Sequence, residues 1–399
     1  MNTNNKLFYT DLVTPKDEWI YRRENNYVLA ANPRRSIIKK IRYLTDKKQP
    51  NYKIIENPKV KNSLSAPVKI FVDVTTRCNL QCLHCLSSSG NSSFDLSMDV
   101  IKEIFRWAKK RGVFQVKIGG GEPVLHPNFW EIVDLANKSN LLVSISTNGC
   151  LVDQVNADAL KFLGVKVTVS LDGNRKNHDK LRGAGVFDKA IKCIELLINK
   201  GVPTSIGTTL MNGKVFSNFK DIPFLVSLSK KYNIQIKVRR AKPCGRANTN
   251  LLALINPNKD YWRTIDWLNR QKEKGVKVNL EDIMDYSEDC TDKIFIEDFD
   301  CGAGTRGLHI NSFGVVSPCV FLGEEFEAGK ITSSRELDEI WMNSEKFSIL
   351  RTVKLNPNIN CRNCRRRTKC GGECRAVAFA SSGEINGRDP CCPLNRGRK

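Results

Sequence analysis

Ten of the fifteen cysteines of this chain fall into two spaced groups, and thiolates so arranged suit soft metal centres, iron–sulfur clusters above all. The first group is Cys78-x3-Cys82-x2-Cys85, within CNLQCLHC. The second runs Cys301…Gly314-x4-Cys319…Cys361-x2-Cys364-x5-Cys370-x3-Cys374…Cys392. Three thiolates can hold a cubane cluster by three of its irons and leave the fourth iron open to a small molecule. A structural zinc site would take four protein ligands. The nearest fourth candidate, His84, adjoins Cys85, where joint ligation of one ion is geometrically poor.

The elements around these cysteines must position them. VKIFVDV (68–74), directly before the first group, reads as a buried strand. SMDVIKEIFRWAKKRG (97–112) reads as an amphipathic helix, with Val100, Ile101, Ile104, Phe105 and Ala108 on one face. Further strands are expected at 114–118, 141–147, 165–171, 203–210 and 234–239, with helices at 127–139, 155–164, 187–201 and 221–233. Six strand-then-helix units argue an α/β fold with a parallel sheet and helices outside it. Six are too few for a closed eight-stranded barrel, so a partial (β/α)6 barrel is expected over 66–243. Residues 1–65 read as an N-terminal extension and possible partner-docking region, and 244–295 as a connecting helical region with a helix at 261–275. Residues 296–399 form a small cysteine-rich module that needs metal staples in place of a large core.

Composition sets the bounds. The chain has 399 residues and 41% apolar content, ordinary for a globular protein. It has no apolar run of membrane-spanning length and no signal-peptide core in MNTNNKLFYTDL, so a cytoplasmic protein without membrane attachment is expected. In that compartment clustered thiols mean metal, not disulfides. The formal charge of +22 includes RRSIIKKIR (34–42), RWAKKRG (106–112), VRRAK (238–242) and CRRRTKC (364–370). Such a surface attracts acidic peptides, or is simply solvated. Nucleic acid is an unlikely partner because no recognition motif accompanies the charge.

Four further motifs follow the first cysteines in order. Gly119-Gly120-Gly121-Glu122-Pro123 closes the second strand, Thr147-Asn148-Gly149 ends the third, and Ser170-Leu171-Asp172-Gly173 ends the fourth. The segment His178-Asp179-Lys180-Leu181-Arg182-Gly183 comes next. Singly, Asn148 and Gly149 read equally well as a turn, and His178 with Asp179 as a helix cap. As a set behind Cx3Cx2C they resemble the radical S-adenosylmethionine (SAM) superfamily. That resemblance implies a cluster on Cys78, Cys82 and Cys85 whose open iron chelates the amino and carboxylate groups of SAM. It also implies one-electron cleavage of the sulfonium to a 5′-deoxyadenosyl radical, which abstracts hydrogen. The implied SAM contacts are His84 beside adenine, Gly120, Gly121, Glu122 and Pro123 at the methionine ammonium, Asn148, Ser170 and Asp172 toward the ribose, and Arg182 on the carboxylate. No side chain emerges as a general acid or base.

The second group is similar to the SPASM domain, the auxiliary-cluster module of peptide-modifying radical SAM enzymes. Twelve residues separate Cys301 from Gly314 and four separate Gly314 from Cys319. The resemblance implies two auxiliary clusters, making three [4Fe–4S] clusters in all. Cys301, Cys319 and Cys374 would hold one, with Cys290 or Cys244 as candidates for a fourth ligand. Cys361, Cys364, Cys370 and Cys392 would hold the other, with Cys391 the competitor for the last place. A pair of zinc knuckles is the rival reading. Cys150 and Cys193 read as ordinary buried thiols.

The stretch Cys85-Leu86-Ser87-Ser88-Ser89-Gly90 resembles two groups of maturases. Mycofactocin maturases oxidatively decarboxylate a C-terminal tyrosine of a short peptide. Spliceases excise tyramine from a precursor and leave an α-keto-β-amino acid. The expectation is therefore a peptide maturase acting on a tyrosine-containing ribosomal precursor. Tyramine excision stands first, and decarboxylation or side-chain cross-linking second. The implied partners are the precursor peptide, a separate small leader-binding protein, and an electron-donor protein that supplies the external one-electron reductant. An iron–sulfur nucleic-acid-binding or regulatory protein is the reading from another class, and the full set of SAM-binding positions argues against it.

Overall fold

The computed structural model describes residues 20–24, 27–32, 37–42, 54–211, 216–249, 257–281, 301–355, 364 and 370–392. Cys290 and Cys361 lie outside them. The N-terminal extension contains a four-stranded sheet of β1 (Ile20–Arg23), β2 (Tyr27–Asn32), β3 (Ile37–Arg42) and β4 (Ile54–Ile55), in the order β3-β2-β1-β4. Fully buried Arg22 fastens it to the rest of the chain. Its guanidinium donates to the carbonyls of Pro67 and Gly112, each at 2.9 Å, and pairs with Glu24 at 2.7 Å.

All six expected strands form, parallel and in sequence order: β5 (Lys69–Thr75), β6 (Gln115–Gly120), β7 (Leu142–Thr147), β8 (Lys166–Ser170), β9 (Thr204–Leu210) and β10 (Gln235–Arg240). Four strands of this sheet lie beyond that expectation. β11 (Val278–Glu281), from the region expected to be helical, pairs with β10, and β12 (Gly307–Ile310) pairs with β5. Antiparallel β13 (Val315–Ser317) and β14 (Gly329–Lys330) complete a ten-stranded sheet. The cysteine-rich module thus continues the barrel sheet.

Period-2 alternation decides the two faces of the sheet. Ile70, Val72 and Val74 of β5, with Val116, Ile118, Val143, Ile145, Val167 and Val169, pack in one core against the helices. These helices are α1 (Met98–Arg111), α2 (Phe129–Lys138), α3 (Gln154–Phe162), α4 (Arg175–Arg182), α5 (Val186–Asn199) and α6 (Ile222–Tyr232). Each such buried Val or Ile contributes about 1.5–3 kcal/mol relative to exposure. Helix α1 starts where Ser97 accepts from the Val100 N–H and stops at Gly112, whose φ of 66° suits a left-handed cap. The opposite face carries Lys69, Phe71 and Asp73, then Lys117, Thr168, Lys237, Arg239 and Glu281. Six strand spacings separate β5 from β11, about 29 Å if the sheet were flat. Lys69 nevertheless lies within electrostatic reach of Glu281, so the sheet curls into a partial barrel. Among the described residues no helix is long and apolar enough to cross a membrane.

Candidate active site

The loop leaving β5 carries Cys78, Cys82 and Cys85, at the C-terminal end of the parallel strands. Two backbone N–H groups after the next strand hold it there. The Gly121 N–H donates to the Thr75 carbonyl at 2.7 Å and the Glu122 N–H to the Arg77 carbonyl at 2.8 Å. A Cβ on Gly120 would stand 2.3 Å from the Thr75 oxygen, and one on Gly121 would stand 2.0 Å from the Arg77 oxygen. The backbone that these glycines approach is that of the cysteine loop, whereas the sequence suggested a ligand. The three thiols interact electrostatically, and burial beside one another and Glu122 pushes Cys78 up to about 11. Such thiols become stable thiolates only with cations to share, and soft iron fits that donor set.

Glu122 faces this loop. It is 1% exposed; its Oε1 accepts from Thr147 Oγ1 at 2.7 Å and its Oε2 from the Asn148 N–H at 2.8 Å. Burial outweighs these hydrogen bonds and raises its pKa to about 7. The carboxylate is oriented but lacks a close counter-ion among the described residues, which is the environment an ammonium group would relieve. The Asn148 side chain bridges to Asn79 of the cysteine loop at 2.8 Å. Pro123 opens a short 3₁₀ turn behind Glu122.

Arg182, at the end of α4, reaches back over the thiols. Its Nε donates to Asp172 Oδ2 at 2.7 Å, its Nη1 lies 3.8 Å from Cys82 Sγ, and its Nη2 lies 3.3 Å from His84 Nε2. Asp172 is fully buried; its Oδ2 also faces His84 Nε2 at 3.1 Å and its Oδ1 accepts from the Thr209 N–H at 2.7 Å. Arg182 and His84 hold the Asp172 carboxyl well below the usual range against the opposing effect of burial. Both Asp172 oxygens are therefore committed to protein, in contrast to the expected ribose contact. His84 Nδ1 is buried without a hydrogen-bond partner among the described residues. Ser170 ends β8, half-buried. Asp179 accepts from the Gly185 and Phe187 N–H groups, at 3.0 and 2.8 Å, so its work is to cap α5. Cys193 is in the core, while half-buried Cys150 borders the site beside Asn79.

One residue that clamps the loop was missed by sequence reasoning. Arg246, in α7 (Gly245–Thr249), donates to the carbonyls of Cys82 and Ser89, each at 2.9 Å, and its backbone N–H to that of Cys85 at 2.9 Å. Gly245, at φ 54°, lets this turn approach, since a Cβ would meet the Cys85 oxygen at 2.4 Å. The only sequence signal was a Gly-Arg pair after the last barrel strand.

In the C-terminal module Cys301, Cys319 and Cys374 converge around an apolar cluster with Ala303, Leu322, Phe326 and Leu350, and their mutual proximity and burial raise Cys319 strongly. Cys244 lies within electrostatic reach of both Cys85 and Cys374. The described members of the last set are Cys364, Cys370 and Cys392. The Cys391 thiol is buried in the barrel core, whereas Cys392 is half-buried with Arg388 Nη2 3.6 Å from its sulfur. Asp389 ties module to barrel. It takes Arg240 of β10 through both oxygens at 3.0 Å and accepts from the Cys374 N–H at 3.1 Å. Among the described residues no three His, Cys, Asp or Glu side chains crowd together as one metal ion would require. A cubane presents its irons at separate corners, so its thiols stand further apart.

The sequence matches the radical SAM superfamily over residues 72–225 and an iron–sulfur cluster-binding domain, SPASM, over 301–365. Mycofactocin maturase MftC of Mycobacterium tuberculosis is 32% identical over 341 residues, covering 83% of this chain and 84% of that protein. AdoMet-dependent heme synthase of Methanosarcina barkeri is 29% identical over 356 residues, covering 84% of this chain and 99% of that protein. Among solved structures, Streptococcus suis SuiB bound to its precursor peptide SuiA has a TM-score of 0.75 at 16% identity, over 95% of this chain and 99% of that one. With its three-thiol loop, its Glu122 cradle and its cysteine-rich second module, this chain belongs to the radical SAM superfamily, as a SPASM-domain enzyme.

Proposed function

We propose that this enzyme is a peptide maturase that removes hydrogen from a tyrosine-containing ribosomal precursor and excises tyramine. The observation that carries the enzyme chemistry is the buried, uncompensated Glu122 carboxylate facing the three-thiol loop. The likeness to the mycofactocin maturases supports a peptide substrate. Cys78, Cys82 and Cys85 would hold a cluster that, with SAM and one external electron, would supply the hydrogen-abstracting radical. The chain's own residues do the positioning. Glu122 would orient the methionine amino group, and Gly120, Gly121 and Pro123 fix the turn that aims it. Asn148 braces the cysteine loop. Asp172 holds Arg182 and His84, which meet the carboxylate and adenine ends of the cofactor, while Ser170 lies toward the ribose.

Two auxiliary clusters, on Cys301, Cys319 and Cys374 and on Cys361, Cys364, Cys370 and Cys392, complete the complement of three. The outward turn of Cys392 against the buried Cys391 supports that last assignment. An electron-donor protein in the cytoplasm and a separate leader-binding protein, docking on residues 1–65, are the partners this reading requires. Oxidative decarboxylation is the second reading, favoured by the 32% identity to the mycofactocin maturase.

Anaerobic incubation of reconstituted protein with SAM and dithionite should yield 5′-deoxyadenosine and methionine; their absence with intact clusters would sink the enzyme reading. Mass spectrometry of a co-expressed precursor then separates the reactions. A loss matching tyramine supports excision, a loss of carbon dioxide together with two hydrogens supports oxidative decarboxylation, and a loss of two hydrogens alone supports cross-linking.

A further inference from the structure

The inner face of the partial barrel carries a charge imbalance that the SAM site does not use. The strand register places Lys69 on β5, Lys117 on β6, Lys166 on β8, and Lys237 and Arg239 on β10 on this helix-free face. The carboxylate in the group is Glu281 of β11, which takes Arg239 at 2.7 Å. Asp73, nearer the cysteine loop, is occupied by His309 at 2.8 Å. Lys237 Nζ donates to Thr168 Oγ1 at 3.0 Å, and Lys69 stands over the Phe71 ring at 4.7 Å. Among the described residues Lys117 and Lys166 have no ion pair or hydrogen bond. Among the described residues five cations thus face the one carboxylate of Glu281, with Asp73 already engaged by His309.

The arrangement is costly without an anion. Burial, with Lys237, Arg239 and Lys166 as like-charged neighbours, brings Lys69 down to about 8, and burial and like charges lower Lys117 further. The same cations pull Glu281 down to about 2 against burial. The layer also lies under the chemistry. Lys117 precedes Gly119 by two residues on β6, about 7 Å of strand rise from the glycine turn that holds the cysteine loop.

We infer that this cationic layer is a carboxylate-binding subsite, set to hold an acidic side chain or the C-terminal carboxylate of the peptide substrate beneath the reacting residue. The inference rests on the peptide-maturase reading and adds a substrate requirement to it. The positive face would draw the anionic group inward, and Lys117, Lys237 and Arg239 would anchor it, fixing which residue of the peptide meets the radical.

The test is lysine acetylation of the holoenzyme by N-hydroxysulfosuccinimidyl acetate, read by peptide mass spectrometry. Acetate, acetyl-Val-Tyr, acetyl-Glu-Tyr amide and acetyl-Gln-Tyr amide serve as probes at matched ionic strength in chloride, with exposed Lys231 as the internal control. Acetate should slow acetylation of Lys69 at least about threefold, and Lys117→Met with Lys237→Met should abolish that protection. Protection by acetyl-Val-Tyr alone assigns the C-terminal carboxylate, and by acetyl-Glu-Tyr amide alone the side chain. No protection by acetate, or equal protection by the uncharged peptide, overturns the subsite. Residues 282–300 of the chain carry eight acidic side chains of their own. If changing them to Asn and Gln makes Lys69 more reactive before any probe is added, the chain supplies its own carboxylate and the substrate assignment falls. Formation of 5′-deoxyadenosine is scored on the same preparation, so failure of the subsite and failure of the radical SAM chemistry remain distinct results.

Discussion

Replacing Glu122 by Gln should weaken SAM binding and make it less steeply dependent on pH. The carboxylate is fixed by Thr147 Oγ1 at 2.7 Å and the Asn148 N–H at 2.8 Å, and when ionised it can accept from the amino group of SAM. In the variant the amide oxygen would stay with the Asn148 N–H, which can only donate, and the NH2 would turn to the Thr147 hydroxyl, which can accept. The amino group then loses an ionised acceptor, worth about 1.5–3 kcal/mol for a hydrogen bond to a charged group. At about 1.4 kcal/mol per tenfold, SAM affinity should fall roughly 10- to 150-fold. The sign of the pH effect follows from burial, which raises Glu122 to about 7. Below that value the free enzyme holds a neutral acid, so SAM binding must expel a proton and affinity drops up to about tenfold per pH unit. To chelate iron the α-amino group of SAM must also shed its proton, whose ordinary pKa is about 7.7–8.0, and this adds an acid limb shared by wild type and variant. Against burial, the Asn148 N–H, the Thr147 hydroxyl and Arg182 pull the Glu122 pKa down. Below neutrality the wild-type acid limb should therefore be steeper than the variant's, by up to about tenfold per pH unit. Anaerobic calorimetric titration of the oxidised holoenzyme, from about pH 5.5 to about pH 8.5, checks this. The Gln variant should keep only the shallower limb set by the amino group. Acid limbs of equal steepness in the two proteins, or a wild-type profile flat below neutrality, would refute the reasoning.

Three further outcomes follow from the same contacts. Gly121→Ala should displace the loop at Cys78, because the new Cβ would stand 2.0 Å from the Arg77 carbonyl oxygen; iron analysis should show about four irons lost per chain, with the auxiliary iron retained. Asp389→Asn leaves Glu373, at 3.2 Å, as the carboxylate paired with buried Arg240 among the described residues, and should cost about 3 kcal/mol by denaturant unfolding monitored in the C-terminal module. Because Arg240 holds Asp389 below its ordinary value, that contribution should persist through the usual carboxylate range and be lost only as pH falls below it. Cys392→Ser should alter the electron paramagnetic resonance spectrum of the reduced auxiliary clusters, whereas Cys391→Ser, at a thiol buried in the barrel core, should leave it unchanged.

The boundary between what the sequence disclosed and what it did not follows the range of the interactions. Ligand thiols within one loop have spacings dictated by local reach, so Cys78, Cys82 and Cys85 could be read directly, as could strands whose alternation is set by the nearest core. The glycines at 120 and 121 were legible as glycines but not by purpose. Their close approach is to Thr75 and Arg77, and that depends on how β5 and β6 register against each other. Arg246 meets the carbonyl of Cys82 across 164 positions of chain, and Arg240 meets Asp389 across 149; no local pattern encodes such pairs. Asp172 shows the same limit from the other side. Its place at a strand end suggested a ligand contact, but its buried oxygens were already claimed by groups from β9 and α4. The inner-face cations lie between these cases. Each was visible at an alternate strand position, but their meaning requires curvature, because only a curled sheet brings Lys69 within reach of Glu281. A net charge of +22 therefore concealed a directed element inside a diffuse one, and the barrel's closure is what separates them.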